Sequence, residues 1–264
     1  MEDKQKRELV YEELTALYAK GGALAEAPPS LMDYFDEVEL VKVARELMRH
    51  ETPAERGKAI IVTAGAPGAG KSRVLDDFDL SGYRRIDPDA IKDTLLEAAE
   101  KQGLLQYRNG LQLPDGAGVH LRELGSHVHR FSTIVSDLMR AASLDRGENI
   151  VVDGSLAWEP LAQRYVDELL DAGYEAADVV SVEVTEEMAL ERAQARWWSG
   201  RLQGEPGGRF VPAAVVQACF DEGHSKCALN AEALATQVQD ELGAGTLVRY
   251  GVHPRTGVPA QINY

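Results

Sequence analysis

The sequence predicts an α/β fold with a mostly parallel central sheet between helical layers and an N-terminal helical segment. Three observations carry that prediction. From residue 59 onward, short β-branched apolar runs alternate with longer stretches at helical spacing, as expected for strands buried on both faces and joined by crossover helices. One such run, Ala59-Ile60-Ile61-Val62-Thr63-Ala64, leads straight into Gly65-Ala66-Pro67-Gly68-Ala69-Gly70-Lys71-Ser72, a G-x-x-x-x-G-K-[ST] loop that belongs between a strand and a helix. A chain of 264 residues with 44% hydrophobic residues can bury one substantial core.

The elements follow in order. Residues 2–20 carry Leu9, Val10, Leu14, Leu17 and Tyr18 at helical spacing, and Gly21-Gly22 and Pro28-Pro29 then break the chain. A second amphipathic helix is predicted over about 31–49, and Glu51–Lys58 reads as a polar linker. Residues 1–57 are therefore expected to be a helical segment packed on a main domain of residues 58–264; a detachable regulatory element is the other reading of that segment. After the glycine-rich loop a helix opens at Arg73–Phe78. Tyr83–Ile86 reads as a short strand ending at Asp87-Pro88-Asp89, with a helix from about Ala90 to Gln102. Residues 103–119 contain Gly and Pro and read as an exposed irregular loop. One long helix is predicted over about Leu121–Leu144, followed by a buried strand, Asn149–Val152, that ends at Asp153. A helix over about 159–172, a strand over 179–184 and a helix over 186–199 come next. Gly204–Gly208 reads as flexible, Pro212 suits the first turn of another helix, and a helix near 231–241 and a strand over 246–250 close the chain.

Composition narrows the function classes. A formal net charge of −15 repels polyanions, which argues against nucleic acid or an anionic membrane as partner. No N-terminal apolar core of a signal peptide occurs, and no apolar run reaches membrane-spanning length, so a cytoplasmic setting is expected. Cys219 and Cys227 are the two cysteines. They lie in a region read as helical, match no disulfide or metal signature, and are expected to be buried or indifferent thiols. His127 and His129 point different ways on a helix and are not read as a metal pair.

The chemistry gathers at the carboxyl ends of the predicted strands, where open parallel sheets take ligands. In Gly65–Ser72 the glycines let main-chain N–H groups converge on phosphate oxygens. Lys71 supplies a point charge for the outer phosphates, and Ser72 a hydroxyl for Mg²⁺. Asp87 and Asp89 frame Pro88; were the segment extended, alternation would put both on one side. One carboxylate can accept a hydroxyl proton while the other caps a helix or orients water, although both serving as helix caps is the plain alternative. Asp153 resembles the acid that organises Mg²⁺ in P-loop proteins; its alternative is a turn residue before Gly154. Arg192, Arg196 and Arg209 offer guanidinium forks for a transferring phosphoryl group, and the glycine run between Arg196 and Arg209 suggests a lid. Trp197 and Trp198 suit core or lid packing better than stacking on a base.

Gly65–Ser72, Ile86-Asp87-Pro88-Asp89, Asp153-Gly154-Ser155 and Arg192…Arg196…Gly208-Arg209-Phe210-Val211-Pro212 together resemble the zeta-toxin family of P-loop kinases over about residues 59–220. The resemblance implies a three-layer P-loop kinase fold. It implies transfer of the γ-phosphate of ATP or GTP, with Mg²⁺, to a hydroxyl of UDP-N-acetylglucosamine or a related UDP-amino sugar, and a small helical antitoxin as partner. Lys71 matches the family's P-loop lysine, Asp89 its general base, and Arg196 and Arg209 its two phosphate arginines. Asp153 and Ser155 stand where an acid and a hydroxyl contact the substrate. Ala157 departs from the pattern, for an arginine is often found there. That departure keeps other acceptors open: a nucleotide, NAD or an antibiotic, as in chloramphenicol phosphotransferase-like proteins. A non-catalytic nucleotide-binding switch is the reading from a different class.

Overall fold

The computed structural model describes residues 3–50, 54–253 and 257–262. In chain order its elements are α1 (Asp3–Tyr18), α2 (Pro29–Tyr34), α3 (Glu37–His50), β1 (Ile60–Ala64), α4 (Lys71–Leu75), β2 (Arg84–Ile86), α5 (Pro88–Lys101), α6 (His129–Asp145) and β3 (Ile150–Val152). There follow α7 (Pro160–Asp171), β4 (Ala176–Val182), α8 (Glu186–Arg201), α9 (Ala213–Gln217), β5 (Phe220–Asp221), β6 (His224–Ser225), α10 (Lys226–Glu241), β7 (Ala244–Val252) and β8 (Pro259–Gln261). The chain divides into two compact units that are each discontinuous in sequence. A helical unit takes residues 1–43, 89–135 and 194–212, and a sheet unit takes 44–88, 136–193 and 213–264.

In the sheet unit the strand order is β2-β3-β1-β4-β7-β8. The first five are parallel, and β8 pairs antiparallel with β7. The strands are apolar on both faces because both are covered. Ile60, Val62 and Ala64 pack with Ala162, Val166 and Leu169 of α7 and Ala231, Leu234 and Val238 of α10. The alternate residues Ile61, Val151, Val180 and Val182 pack with Val74 and Leu75 of α4. The α/β class and the parallel sheet expected from the alternating runs are thus present. β8 had no sequence signal strong enough to mark it: three residues opening on Pro259 fit an edge strand, where a missing N–H costs no ladder bond.

In the helical unit, the segment read as one helix over 31–49 is two, α2 and α3. Asp36 lies between them, and its Oδ1 accepts the Glu39 N–H at 2.8 Å; this side-chain cap starts a new helix where hydrophobic spacing alone runs on. The long helix predicted over Leu121–Leu144 is also interrupted. Residues Leu121–Leu124 form a short 3₁₀ turn, and α6 begins only at His129. The reason is Glu123, whose buried carboxylate is drawn inward. It accepts from Trp197 Nε1 at 2.8 Å and from Arg201 Nη1 at 2.8 Å on both oxygens, and from the His120 N–H at 2.8 Å. Trp197 is fully buried against Tyr11 and Phe210, and Trp198 donates to Asp3 at 3.1 Å, so both tryptophans are core residues.

The end of the glycine run read as flexible is packed: Gly207 and Gly208 are buried, whereas Glu205 and Pro206 are exposed. A Cβ on Gly208 would lie 2.0 Å from the Trp197 carbonyl oxygen, so glycine here permits two backbones to touch. Residues 103–119 are anchored by buried Leu105, Leu113 and Val119, and Arg108 ties Glu100, Glu205 and the Val119 carbonyl together, rather than forming a freely exposed loop. His127 is also structural, held between the Tyr107 hydroxyl at 2.6 Å and the Leu24 carbonyl at 2.8 Å. Part of the predicted linker, residues 51–53, lies outside the described residues. Beyond it Glu55 is fastened by main-chain bonds to Gly82 and Asn149.

Candidate active site

The sheet unit carries the phosphate loop. β1 has β3 on one side and β4 on the other, so Gly65–Ser72 leaves the sheet at a switch in strand order. The loop is tight. Gly68 has φ +87° and a Cβ there would lie 2.3 Å from the Ala189 carbonyl oxygen, which no side chain tolerates. The Ala69 N–H closes the curl onto the Ala66 carbonyl at 3.0 Å, and the Gly65 N–H fastens it to the Ser155 carbonyl at 3.0 Å. Lys71 Nζ lies over the loop's own backbone, donating to the Gly65 carbonyl at 2.6 Å and the Ala66 carbonyl at 3.4 Å. α4 is short, Lys71–Leu75, and holds Ser72 in its first turn.

Asp153 follows β3 and is nearly buried. Its Oδ1 accepts from Thr63 Oγ1 at 2.9 Å and its Oδ2 from Arg85 Nη2 at 2.5 Å. Ser155 Oγ accepts the Ala157 N–H at 3.3 Å. Arg192 is turned to the Gly257 carbonyl at 2.5 Å. Asp87 ends the segment after β2. Pro88 starts α5 as its first residue, where its missing N–H and fixed φ suit a helix. Asp87 and Asp89 are therefore not neighbours along an extended segment, and the alternation argument does not apply to them.

The helical unit brings Asp89, Arg196 and Arg209 together. Asp89 occupies the first turn of α5, and Lys92, one turn on, donates to its Oδ1 at 3.0 Å. Burial pushes the Asp89 carboxyl up, but Lys92, then Arg209 and Arg196, outweigh it and hold the group below its ordinary value. Asp93 Oδ2 accepts from Arg209 Nη2 at 2.5 Å and pairs with Arg122 Nη2 at 3.0 Å. His129 faces Asp89 and Lys92; its imidazole is held below its ordinary value by burial and by the lysine charge.

Lys92, Asp93, Arg122, Arg85 and Thr63 were missed as members of these clusters. Lys92 and Asp93 had a usable signal: counted from Asp89 they lie at i+3 and i+4, which share one helix face. Arg122, Arg85 and Thr63 had none, because their partners are distant in sequence. The arrangement can hold phosphate oxygens on the loop of one unit. In the other it keeps a carboxylate ionised among cations.

Against known proteins, the family model described as Zeta toxin matches residues 43–243. A calmodulin calcium-dependent NAD kinase of Arabidopsis thaliana is 28% identical over 126 residues, which are 46% of this chain and 22% of that protein; the chain thus spans about a fifth of this curated relative. The solved AvrRxo1-ORF1:AvrRxo1-ORF2 complex is similar in fold. With sulphate ions the TM-score is 0.55 at 17% identity, over 85% of this chain and 65% of the other. With ATP it is 0.53 at 16% identity, over 98% and 67%. The toxin–antitoxin system PezAT of Streptococcus pneumoniae gives a TM-score of 0.51 at 13% identity, over 90% of this chain and 81% of the other.

Proposed function

Because the chain belongs to the zeta toxin family, we propose that it is a kinase transferring the γ-phosphate of ATP, or GTP, to a hydroxyl of a small nucleotide-bearing acceptor, a UDP-amino sugar such as UDP-N-acetylglucosamine being the first reading. The observation that carries the reading is Asp89: a carboxylate held ionised by Lys92, Arg209 and Arg196, in a chain that also carries a complete phosphate loop.

Phosphoryl transfer asks little covalent chemistry of a protein and much positioning and charge. In this reading the Gly65–Ser72 backbone receives the triphosphate and Lys71 leaves the loop carbonyls for the outer phosphates. Asp89 accepts the proton of the attacking hydroxyl as its oxygen bonds to the γ-phosphorus and the bond from that phosphorus to the bridging β–γ oxygen breaks, releasing the nucleoside diphosphate. Arg196 and Arg209 offset the charge spread over the transferring group. Ser72 and Asp153 are the residues that would hold Mg²⁺. A cation that keeps most of its water would ask few protein ligands, which fits one hydroxyl and one carboxylate whose oxygens already accept from Thr63 and Arg85. When bound, the metal supplies charge neutralisation across the phosphates. Asp87, Asp153 and Ser155 are assigned to the acceptor, and residues 1–57 to a helical segment serving the kinase domain of 58–264.

A second acceptor, NAD, is favoured by two observations: the curated relative is named an NAD kinase, and Ala157 stands where a UDP-sugar pattern often has arginine. A small helical antitoxin is proposed as partner, with support from the toxin–antitoxin description of a structural neighbour. Incubation with ATP, Mg²⁺ and a panel containing UDP-N-acetylglucosamine, NAD, nucleosides and aminoglycosides tests the reading by mass. One acceptor is expected to gain a single phosphoryl group. If none does while ATP still binds, the protein is a nucleotide-dependent switch instead.

A further inference from the structure

We propose that Asp93 is a positioning residue that fixes the Arg209 guanidinium for phosphoryl transfer, with Arg122 as the counter-charge that keeps the charge of Arg209 available. This role rests on the kinase reading and lies wholly within the helical unit. α5 carries Asp89, Lys92 and Asp93 at i, i+3 and i+4, which share one helix face. Two carboxylates one turn apart repel each other unless cations divide between them. Lys92 donates to Asp89 Oδ1 at 3.0 Å, whereas Arg209 Nη2 donates to Asp93 Oδ2 at 2.5 Å. Arg122 Nη2 meets that same Asp93 oxygen at 3.0 Å.

The backbone beside this contact is already held. A Cβ on Gly207 would lie 2.5 Å from His120 Cβ, and one on Gly208 would strike the Trp197 carbonyl, so the chain entering Arg209 is closely packed. The Arg122 N–H donates to the Pro206 carbonyl at 2.9 Å and the Leu121 N–H to Glu205 Oε2 at 3.0 Å. These bonds tie the turn bearing Arg122 to the segment bearing Arg209. What is left to fix is the long Arg209 side chain, whose rotamer freedom opposes any single placement.

The contact is a pin rather than a clamp. In the same unit Arg201 grips Asp115 with two parallel bonds, Nε to Oδ2 at 2.7 Å and Nη2 to Oδ1 at 2.8 Å, the two-point fork that guanidinium and carboxylate ordinarily make. Arg209 and Arg122 instead share a single oxygen of Asp93. Asp93 Oδ1, Arg209 Nε and Arg122 Nε are buried without a hydrogen-bond partner among the described residues, a pattern that a pair kept only for stability seldom shows. One-point attachment locates the Arg209 guanidinium and leaves N–H donors for phosphoryl oxygens. A lone carboxylate would also cancel the charge of Arg209, whereas two guanidiniums against one carboxylate leave a net positive charge.

The test is a double-mutant cycle on the full chain, with ATP, Mg²⁺ and either UDP-N-acetylglucosamine or NAD as acceptor. Arg209→Gln is expected to lower kcat by about 10³-fold, the lower worth of a transition-state arginine. Asp93→Asn should lower kcat by about 10- to 100-fold with the KM for ATP unchanged, as misplacement of a transition-state group does, and Asp93→Glu should recover part of the loss. In the Arg209→Gln background Asp93→Asn should cost nothing further. Equal fold losses in both backgrounds overturn the proposal while the kinase reading stands. Arg122→Gln leaves Asp93 to cancel Arg209 and should lower kcat severalfold; wild-type turnover there overturns the counter-charge. A wild-type protein that phosphorylates neither acceptor removes the kinase reading instead, and the pin is then read without turnover. Phenylglyoxal labelling of Arg209, mapped by mass, should rise severalfold in Asp93→Asn, and labelling at the wild-type rate overturns the pin.

Discussion

Asp89 shows how a residue's role is set by what surrounds it. An isolated helix-start aspartate would titrate near 4; here burial raises it and three cations more than reverse that. The carboxylate therefore stays ionised through and below the ordinary carboxylate range, and whatever stability this depressed group adds is lost only as pH falls through its folded value. Exchange of Asp89 for Asn is expected to lower kcat by about 10²–10⁴-fold, the usual worth of a general base, with Tm little changed; near-wild-type turnover would remove it from the chemistry. Lys92→Met takes away the foremost of the lowering charges while burial remains. The acidic limb of the kcat/KM profile should therefore move to higher pH, which a pH series on the two proteins reads directly. Lys92 was visible in the sequence as a partner one turn on, but Arg209 was not, since it lies 120 positions downstream of Asp89.

At the scale of elements, the interruption before α6 carries the clearest lesson. Apolar spacing from Leu121 to Leu144 satisfies one continuous helix, and periodicity has no means of seeing that Glu123 is claimed by Arg201 and Trp197. Those bonds cross more than 70 residues and are made in a dry interior, where an unpaired charge is costly. Glu123→Ala leaves the Arg201 guanidinium with Asp115 and the Gly118 carbonyl alone, and the indole N–H without its acceptor. A loss of about 3–5 kcal/mol is expected, the cost of breaking a buried ion pair, measurable by denaturant unfolding. A change under about 1 kcal/mol would mean the carboxylate is not what turns the chain there. Only at its end is the glycine run at 204–208, which composition alone reads as a flexible lid, held by packing: Gly208 lies backbone to backbone against Trp197 of α8.

For the whole molecule, nucleotide binding is the property that separates a working P-loop from a glycine-rich turn. A ligand that binds only the folded chain stabilises it by about 2.7 kcal/mol at a hundredfold excess over Kd. ATP is thus expected to raise Tm by several degrees in the wild-type protein and by much less in Lys71→Ala. Equal shifts in both would put the nucleotide elsewhere.

The sequence by itself determined the five parallel strands β1–β4 and β7, the loop between β1 and α4, and the family, because short apolar β-branched runs and the glycine-lysine-serine spacing are local and survive without knowledge of neighbours. Only the tertiary structure decided which charges surround Asp89, where Glu123 turns the chain, and that residues 220–225 form a hairpin rather than a helix. Electrostatic and packing forces act through space, so partners distant along the chain leave no periodic trace in it.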